Sequence, residues 1–375
     1  MSPVMPHSGP IANVASSHTL NAITAPRSER VLPPDYGRGW NEPRCAVRLP
    51  MAALFEPSKK VNVRSFVLGL MVLVGLAQMT QAAVERVVQK SLPVAAGTVL
   101  KIDTCQGVIR IEPSADNQIH VLVRETMDVE NEAAADRRLQ DLDLQIEQVK
   151  TLVSVRTRYR RAVRWAWESW PPVALAYVVQ VPRSCSVDLV TPEGDITVCA
   201  LEGEVIARTG NGAIFVGEVK GNVRATNTRG DVSVTACSGE LNITAKSGNV
   251  LVGRSSGLTK ISASGGLIEV QSARGNLHIE ADGADIKAGF VHPLTESSEL
   301  RASGGDIEVV FDQRSACTLS ARASTFGMVK SKNLTLVVES GKIGSSSLVA
   351  TLNGGGPKVV INSSGGNVRL TGSEP

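Results

Sequence analysis

The residues best equipped to bind or react are crowded into one stretch, 158–172. It holds Arg158, Tyr159, Arg161, Arg164, Trp165, Trp167 and Trp170, including three of the four tryptophans in the chain. Trp beside Arg can stack on a sugar, grip a partner protein or rest at a lipid interface, because the ring offers a flat apolar face and the guanidinium adds charge. The competing reading is a cap, in which the tryptophans cover the open end of a core. Both readings stand at this point, with the cap ahead.

Catalytic sets are harder to find. Gly253-Arg254-Ser255-Ser256-Gly257 matches the G-x-S-x-G spacing of a nucleophile elbow. That elbow needs a strand before the serine and a helix after it, and strands are expected on both sides here. Beyond residue 82 the histidines are His120, His278 and His292. They are scattered along the chain, which supports neither a metal site nor a Ser–His relay. Acidic residues sit mainly in turns rather than in the clusters that polysaccharide cleavage requires. No cofactor or metal ligand set is expected, and the chain reads as a non-enzyme.

The elements that must carry these residues announce themselves through glycine. Gly occurs at 194, 203, 212, 221, 230, 239, 248, 257, 266 and 275, ten in unbroken register at period nine within a repeat core of 185–280. Internal repetition of this kind decides the architecture. Two and four residues after each glycine stand apolar side chains, such as Ile196 and Val198, Ile214 and Val216, Val250 and Val252; Thr259 is the break in the rule. That alternation has period two, so each repeat is a short strand with one buried face, followed by a tight turn. Cys185 takes the glycine place one repeat earlier. Ala207 and Ala225 recur at eighteen, as do Val198, Val216 and Val234, which favours an eighteen-residue coil of two strands over a coil of three. Such a strand cannot bury its face alone, and stacked copies can. The fold class is therefore all-β, a parallel β-solenoid, with a short helix near its N-terminal end at Asn131–Gln140 and a hairpin through Leu142–Gln148 and Leu152–Arg158. The calcium-binding nine-residue roll needs paired glycines and aligned aspartates that this repeat lacks.

In an eighteen-residue coil Arg224, Lys260 and His278 share an outward ladder with Ile206 and Asn242. Phe215 and Leu251 share another with Thr197, Ser233 and Glu269. The first ladder offers a mildly basic strip, and the second an apolar pair suited to an oligomer contact. A solvated face is the simpler account of both.

Residues 59–82 carry the pattern of a secretory signal: Lys59, Lys60 and Arg64, then the apolar run Phe66 to Ala77, then Thr80-Gln81-Ala82 as a cleavage site. The apolar run is short for a membrane span. The domains expected are an N-terminal extension over 1–58, disordered or lying upstream of a true start at Met51, the signal peptide at 59–82, and one solenoid over 83–375. Removing Cys45 leaves five cysteines, an odd number, so at least one is free or pairs between chains. Aromatic residues make up 3% and the formal net charge is +3. The first disfavours an aromatic-cored globule, and the second gives no reason to expect nucleic acid as a partner.

With these features the chain resembles the putative-adhesin family of exported bacterial β-strand-repeat proteins, a family of unknown function. The likeness runs from about Val84 to Leu370, through G-V-I-R-I at 107–111, Val181-Pro182 leading into the repeat run, and GGGPKVVINSSGGNVRL at 354–370. It implies a solenoid-like fold and carries over no catalytic residues. Taken together, the expectation is an exported, non-catalytic protein in the periplasm, on the outer surface or outside the cell. Its adhesin-like role would be to bind an envelope component, a glycan or a partner protein, with homo-oligomer formation open. The alternatives are a carbohydrate-active β-helix enzyme and a self-assembling scaffold.

Overall fold

The computed structural model describes residues 83–160, 171–274 and 276–373. The signal segment, the N-terminal extension and residues 161–170 of the Arg/Trp stretch lie outside the described residues. Within them the strands form two sheets, one of 13 strands and one of 14. From Ser186–Glu193 to Ile307–Phe311 the chain alternates between the sheets, one strand in each per coil. Val205 pairs in parallel with Val223, and Ile214 with Val232, each eighteen residues on. Two strands per coil is thus the observed geometry, with coils stacked at roughly 4.8 Å.

The inward positions are those that the period-two pattern marks. Ile196, Val198, Val205, Ala207, Ile214 and Val216 are all buried, and both sheets contribute to one continuous core. Each such Val or Ile is worth about 1.5–3 kcal/mol when removed from water, so the core is assembled coil by coil. Thr259 keeps its inward place and turns its hydroxyl toward the Gly257 carbonyl.

The glycines form two stacked columns with different demands. In the column of 194, 212, 230, 248 and 266 every glycine has positive φ, +144° at Gly212 for instance. A Cβ on Gly212 would also lie 2.2 Å from the Gly194 carbonyl oxygen of the coil below. The column of 203, 221, 239 and 257 needs only the close approach, and Cys185 stands at its foot beneath Gly203.

Asp and Asn after glycine do not close their own turns, as the residue types alone would suggest. They reach to the next coil instead. Asp195 Oδ1 accepts the Ala213 amide at 2.7 Å, Asp231 Oδ1 the Asn249 amide at 2.7 Å, and Asn249 Oδ1 the Leu267 amide at 2.9 Å. Parallel in-register stacking places the same turn one coil away, where its free N–H is a closer partner than any within the turn.

At the N-terminal end the helix spans Glu132–Leu139, capped by Asn131, whose Oδ1 accepts the Ala134 amide. Arg86 ties it to the first strand through Glu132 and Asp136. The hairpin Leu142–Val149 and Leu152–Tyr159 closes the fourteen-stranded sheet, and Ala83–Pro93 closes the other. At the far end the order leaves the sequence. Val368–Gly372 pairs with Ile307–Phe311, and Val329–Lys332 lies outside it. Leu336–Gly341 is the outermost strand of the other sheet there.

Candidate functional site

Parallel stacking turns each coil position into a column, and three adjacent columns form a groove along one corner, where strands of the thirteen-stranded sheet end. It encloses about 640 Å³ and is lined by Arg183, Glu202, Glu218, Lys220, Arg254 and Arg274, with Cys237 and Ser255 among its smaller residues. Glu202, Lys220 and Arg274 stand at one phase of the eighteen-residue repeat, Glu218 and Arg254 at another. Their side chains therefore project in line, about one coil spacing apart or a small multiple of it.

Four cations face two carboxylates, and both carboxylates are already engaged. Lys220 Nζ lies 2.6 Å from Glu202 Oε1, and Arg254 Nη2 lies 2.7 Å from Glu218 Oε1. The Lys220 ammonium holds the Glu202 carboxyl below its ordinary range, with Arg183 adding to the effect. Among the described residues, no carboxylate forms an ion pair with Arg183 or Arg274. The groove thus carries net positive charge. Exposed ion pairs of this kind are worth little to stability, so the arrangement is weakly held and free to exchange partners. The corner after the fourteen-stranded sheet has a second groove of about 800 Å³, rich in Ser and lined by Arg301 and Arg322 with Glu280 and Asp282. Its charges balance.

The sequence-expected contact residues are only partly brought into view. Arg158 bonds its guanidinium to the Asp103 side chain and carbonyl and to the Thr157 carbonyl. Tyr159 is half-buried with its hydroxyl directed at the Val173 carbonyl, and burial pushes that phenol up to about 12. Tyr159 packs against the core, while Arg158 stays exposed. Arg161, Arg164, Trp165, Trp167 and Trp170 lie outside the described residues. The Arg224 ladder forms as expected, from Ile206 through Asn242 and Lys260 to His278. Acids border it at both ends, with Asp188 paired to Arg208 and Glu299 beside His278. The Phe215 and Leu251 ladder also forms, with Ser233 between them.

One constellation escaped the sequence. Ser91 and His120 are directly opposed across an antiparallel pair, with Ser91 Oγ 2.9 Å from His120 Nδ1. His120 Nε2 in turn lies 3.0 Å from Asp116 Oδ2. The line has the members of a hydrolase relay, with serine and carboxylate on the opposite nitrogens from the usual arrangement. It runs on an open sheet surface, and Ser91 lines neither groove. Acyl transfer also needs a substrate cleft and donors aimed at the developing oxyanion. Ser255 of the G-x-S-x-G match is buried as the last residue of the strand Val250–Ser255, and the next element is another strand, Thr259–Ala263, not the helix of an elbow. Among the described residues no group of three His, Cys, Asp or Glu could hold a metal ion.

A two-sheet parallel solenoid with columnar corner grooves is the class that this geometry defines. The family model described as Toastrack DUF4097 matches residues 98–371, and the chain belongs to that family. No curated protein matches it. Among solved structures it is similar to a putative adhesin from Bacteroides fragilis, at 12% identity over 77% of this chain and 97% of that one, TM-score 0.35. It is also similar to a putative lipid binding protein from Parabacteroides distasonis, at 12% identity over 76% and 96%, TM-score 0.33. A putative adhesin from the same organism matches at 11% identity over 76% and 97%, TM-score 0.29.

Proposed function

We propose that the chain is an exported, non-catalytic binding protein of adhesin type, and that the corner groove of Arg183, Lys220, Arg254 and Arg274 holds an anionic polymer of the cell envelope. One observation carries this reading: among the described residues, two of the four cations that line the groove, Arg183 and Arg274, form no ion pair with a carboxylate. A polymer with regularly spaced phosphate or carboxylate groups would meet them in register and would gain affinity from several weak contacts at once. Export rests on the signal pattern at 59–82.

The test is binding of the purified protein to heparin and to polyphosphate, with neutral dextran as control. The reading expects salt-sensitive binding to the two polyanions, lost when Arg183 and Arg274 are both changed to Ala. Binding that survives this change and disappears when Trp165, Trp167 and Trp170 become Ala would move the site to the 158–172 stretch. No binding to either polyanion, at low salt, would end the groove reading. Fractionation of the producing cell tests export separately.

A further inference from the structure

The larger groove, about 800 Å³ at the corner after the fourteen-stranded sheet, is built from three rows of the stack. Its floor is the inward row of Ala263, Ala281, Ala302 and Ala323, all buried. Alanine there leaves the side chains on either side standing clear as walls. One wall is the row Ser262, Glu280, Arg301, Asn362 and Arg322, each paired in register with the next. The other lies two residues further along each strand, at Ser264, Asp282, Ser303 and Ser364. The rungs follow one another at the coil spacing of roughly 4.8 Å.

The chemistry of the walls selects the ligand. Two guanidiniums and two carboxylates line the groove, so it has no net charge to hold an anion. Arg301 is held by Glu299 at 2.5 Å, and Asp282 Oδ1 accepts the Ser303 hydroxyl at 2.6 Å. Among the described residues the side chains of Ser262, Ser264, Asn362, Ser364 and Arg322 have no hydrogen-bond or ion-pair partner. That leaves hydroxyls, an amide and a guanidinium, a set that donates and accepts at short intervals. Extended peptides are held by a free sheet edge or by apolar side-chain pockets. Every strand of this groove is paired on both sides, and its floor is alanine. A neutral polyol has the matching inventory, with many hydroxyls that donate and accept and no charge. At the last rung Thr325 is followed by Phe326, which is 97% exposed. An aromatic face next to polar groups suits a sugar ring, which is apolar on its C–H faces and polar round its rim.

We propose that this second groove binds a neutral glycan, a straight chain of pyranose rings lying along the stack across the rungs from Ser262 to Arg322. A β-1,4-linked pyranose advances by close to one coil spacing, so successive sugars meet successive rungs. A flexible chain such as dextran loses more freedom on being straightened and binds less well. This inference goes beyond the polyanion reading and does not rest on it, since the two grooves share no residue.

Saturation-transfer NMR and titration of the purified protein test it. The probes are cellohexaose, mannohexaose and chitohexaose, with isomaltohexaose as the flexible α-1,6-linked counterpart. At least one straight hexamer should bind, with little dependence on salt, and its disaccharide should bind at least roughly tenfold more weakly, because each contact is weak alone. The double variant Asn362→Ala, Arg322→Ala should lose at least roughly tenfold in affinity while keeping its circular dichroism and its binding to heparin. Ser264→Tyr, at an exposed position, blocks the groove without removing a charge and should lose the same binding. Changing Arg183 and Arg274 to Ala should leave hexamer binding as it was. Absence of binding to all three straight hexamers overturns the proposal. So does isomaltohexaose binding as tightly as they do, and so does hexamer binding that survives both the double variant and Ser264→Tyr. Loss of heparin binding with hexamer binding intact would strike the other groove and leave this one standing.

Discussion

The two glycine columns allow a substitution experiment in which the costs separate. At Gly212 an alanine must adopt φ +144° and bring its Cβ 2.2 Å from the Gly194 oxygen, against an ordinary contact of at least 3.4 Å. Relieving the clash opens the coil spacing by more than an ångström. The Gly212 amide, 3.0 Å from the Arg229 oxygen, and the Gly194 amide, 2.8 Å from the Asn211 oxygen, sit beside that movement. Losing two or three such bonds costs about 1 kcal/mol each, and the left-handed conformation adds about 1–2 kcal/mol. Gly212→Ala should therefore destabilise by about 3–5 kcal/mol. Gly203→Ala meets the Cys185 oxygen at 2.3 Å without positive φ, so it should cost about 2–3 kcal/mol. Gly265→Ala meets nothing within 4 Å and has ordinary φ; it should be neutral or slightly stabilising. At about 2–4 °C per kcal/mol for a domain of this size, Gly212→Ala should melt roughly 6–20 °C below the parent. Calorimetry gives the order of the three. Hydrogen exchange shows whether the loss is centred on the neighbouring coils, as nearest-neighbour coupling requires. Equal melting temperatures for Gly212→Ala and Gly265→Ala would refute the idea that close backbone stacking sets the need for glycine.

Three further outcomes are expected. Burial pushes the Cys185 thiol up to about 11 and the Cys317 thiol up to about 12, so both should resist alkylation at pH 8 in the native protein and react once it is unfolded. Fast native labelling at either would contradict their placement. Burial also raises the Glu125 carboxyl above its ordinary range, against the pull of Arg86. The folded state then holds that proton longer than the unfolded chain, so the stability from this group is present below the ordinary carboxylate value and is lost as pH rises through the folded one. Glu125→Gln should accordingly raise the melting temperature at pH 7 and leave it unchanged at pH 4; a lower melting temperature at pH 7 would count against the reading. Finally, Asp231→Ala should cost about 1 kcal/mol and speed exchange of the Asn249 amide, while Asp231→Asn, which keeps the acceptor, should restore protection.

The regular part of this fold was legible because stacking imposes one rule on every coil. Period nine placed the strands, and the recurrence of alanine and valine at eighteen placed two of them in each coil. Three of the four groove cations, Lys220, Arg254 and Arg274, obey the same rule. Glu202, Lys220 and Arg274 share a phase that could have been read by writing the chain in rows of eighteen. What stayed hidden was set by contacts without a period. His120 meets Ser91 through an antiparallel register that no repeat encodes. Val368–Gly372 pairs with Ile307–Phe311 across 61 residues, as the bond from Asn367 to Asp306 shows. Nothing in the local alternation at 317–362 says that those strands lie outside their successors. The Asp and Asn ladders were misjudged for a related reason: a turn considered alone offers only itself as partner.

That skipped order has a consequence for how the chain can be made. Up to Phe311 each new coil finds its neighbour already in place, so the stack can grow as the polypeptide lengthens. The strands from Cys317–Arg322 to Ser347–Leu352 have no such seat. The layer that receives them, Lys358–Ser363 and Val368–Gly372, is synthesised later. A hydrophobic stretch of growing chain must wait in the open until that layer arrives, and closing so distant a contact is slow. Assembly therefore proceeds as a zipper followed by a single late clasp, and the interval before the clasp is when the molecule is most exposed to proteases and to other unfinished chains.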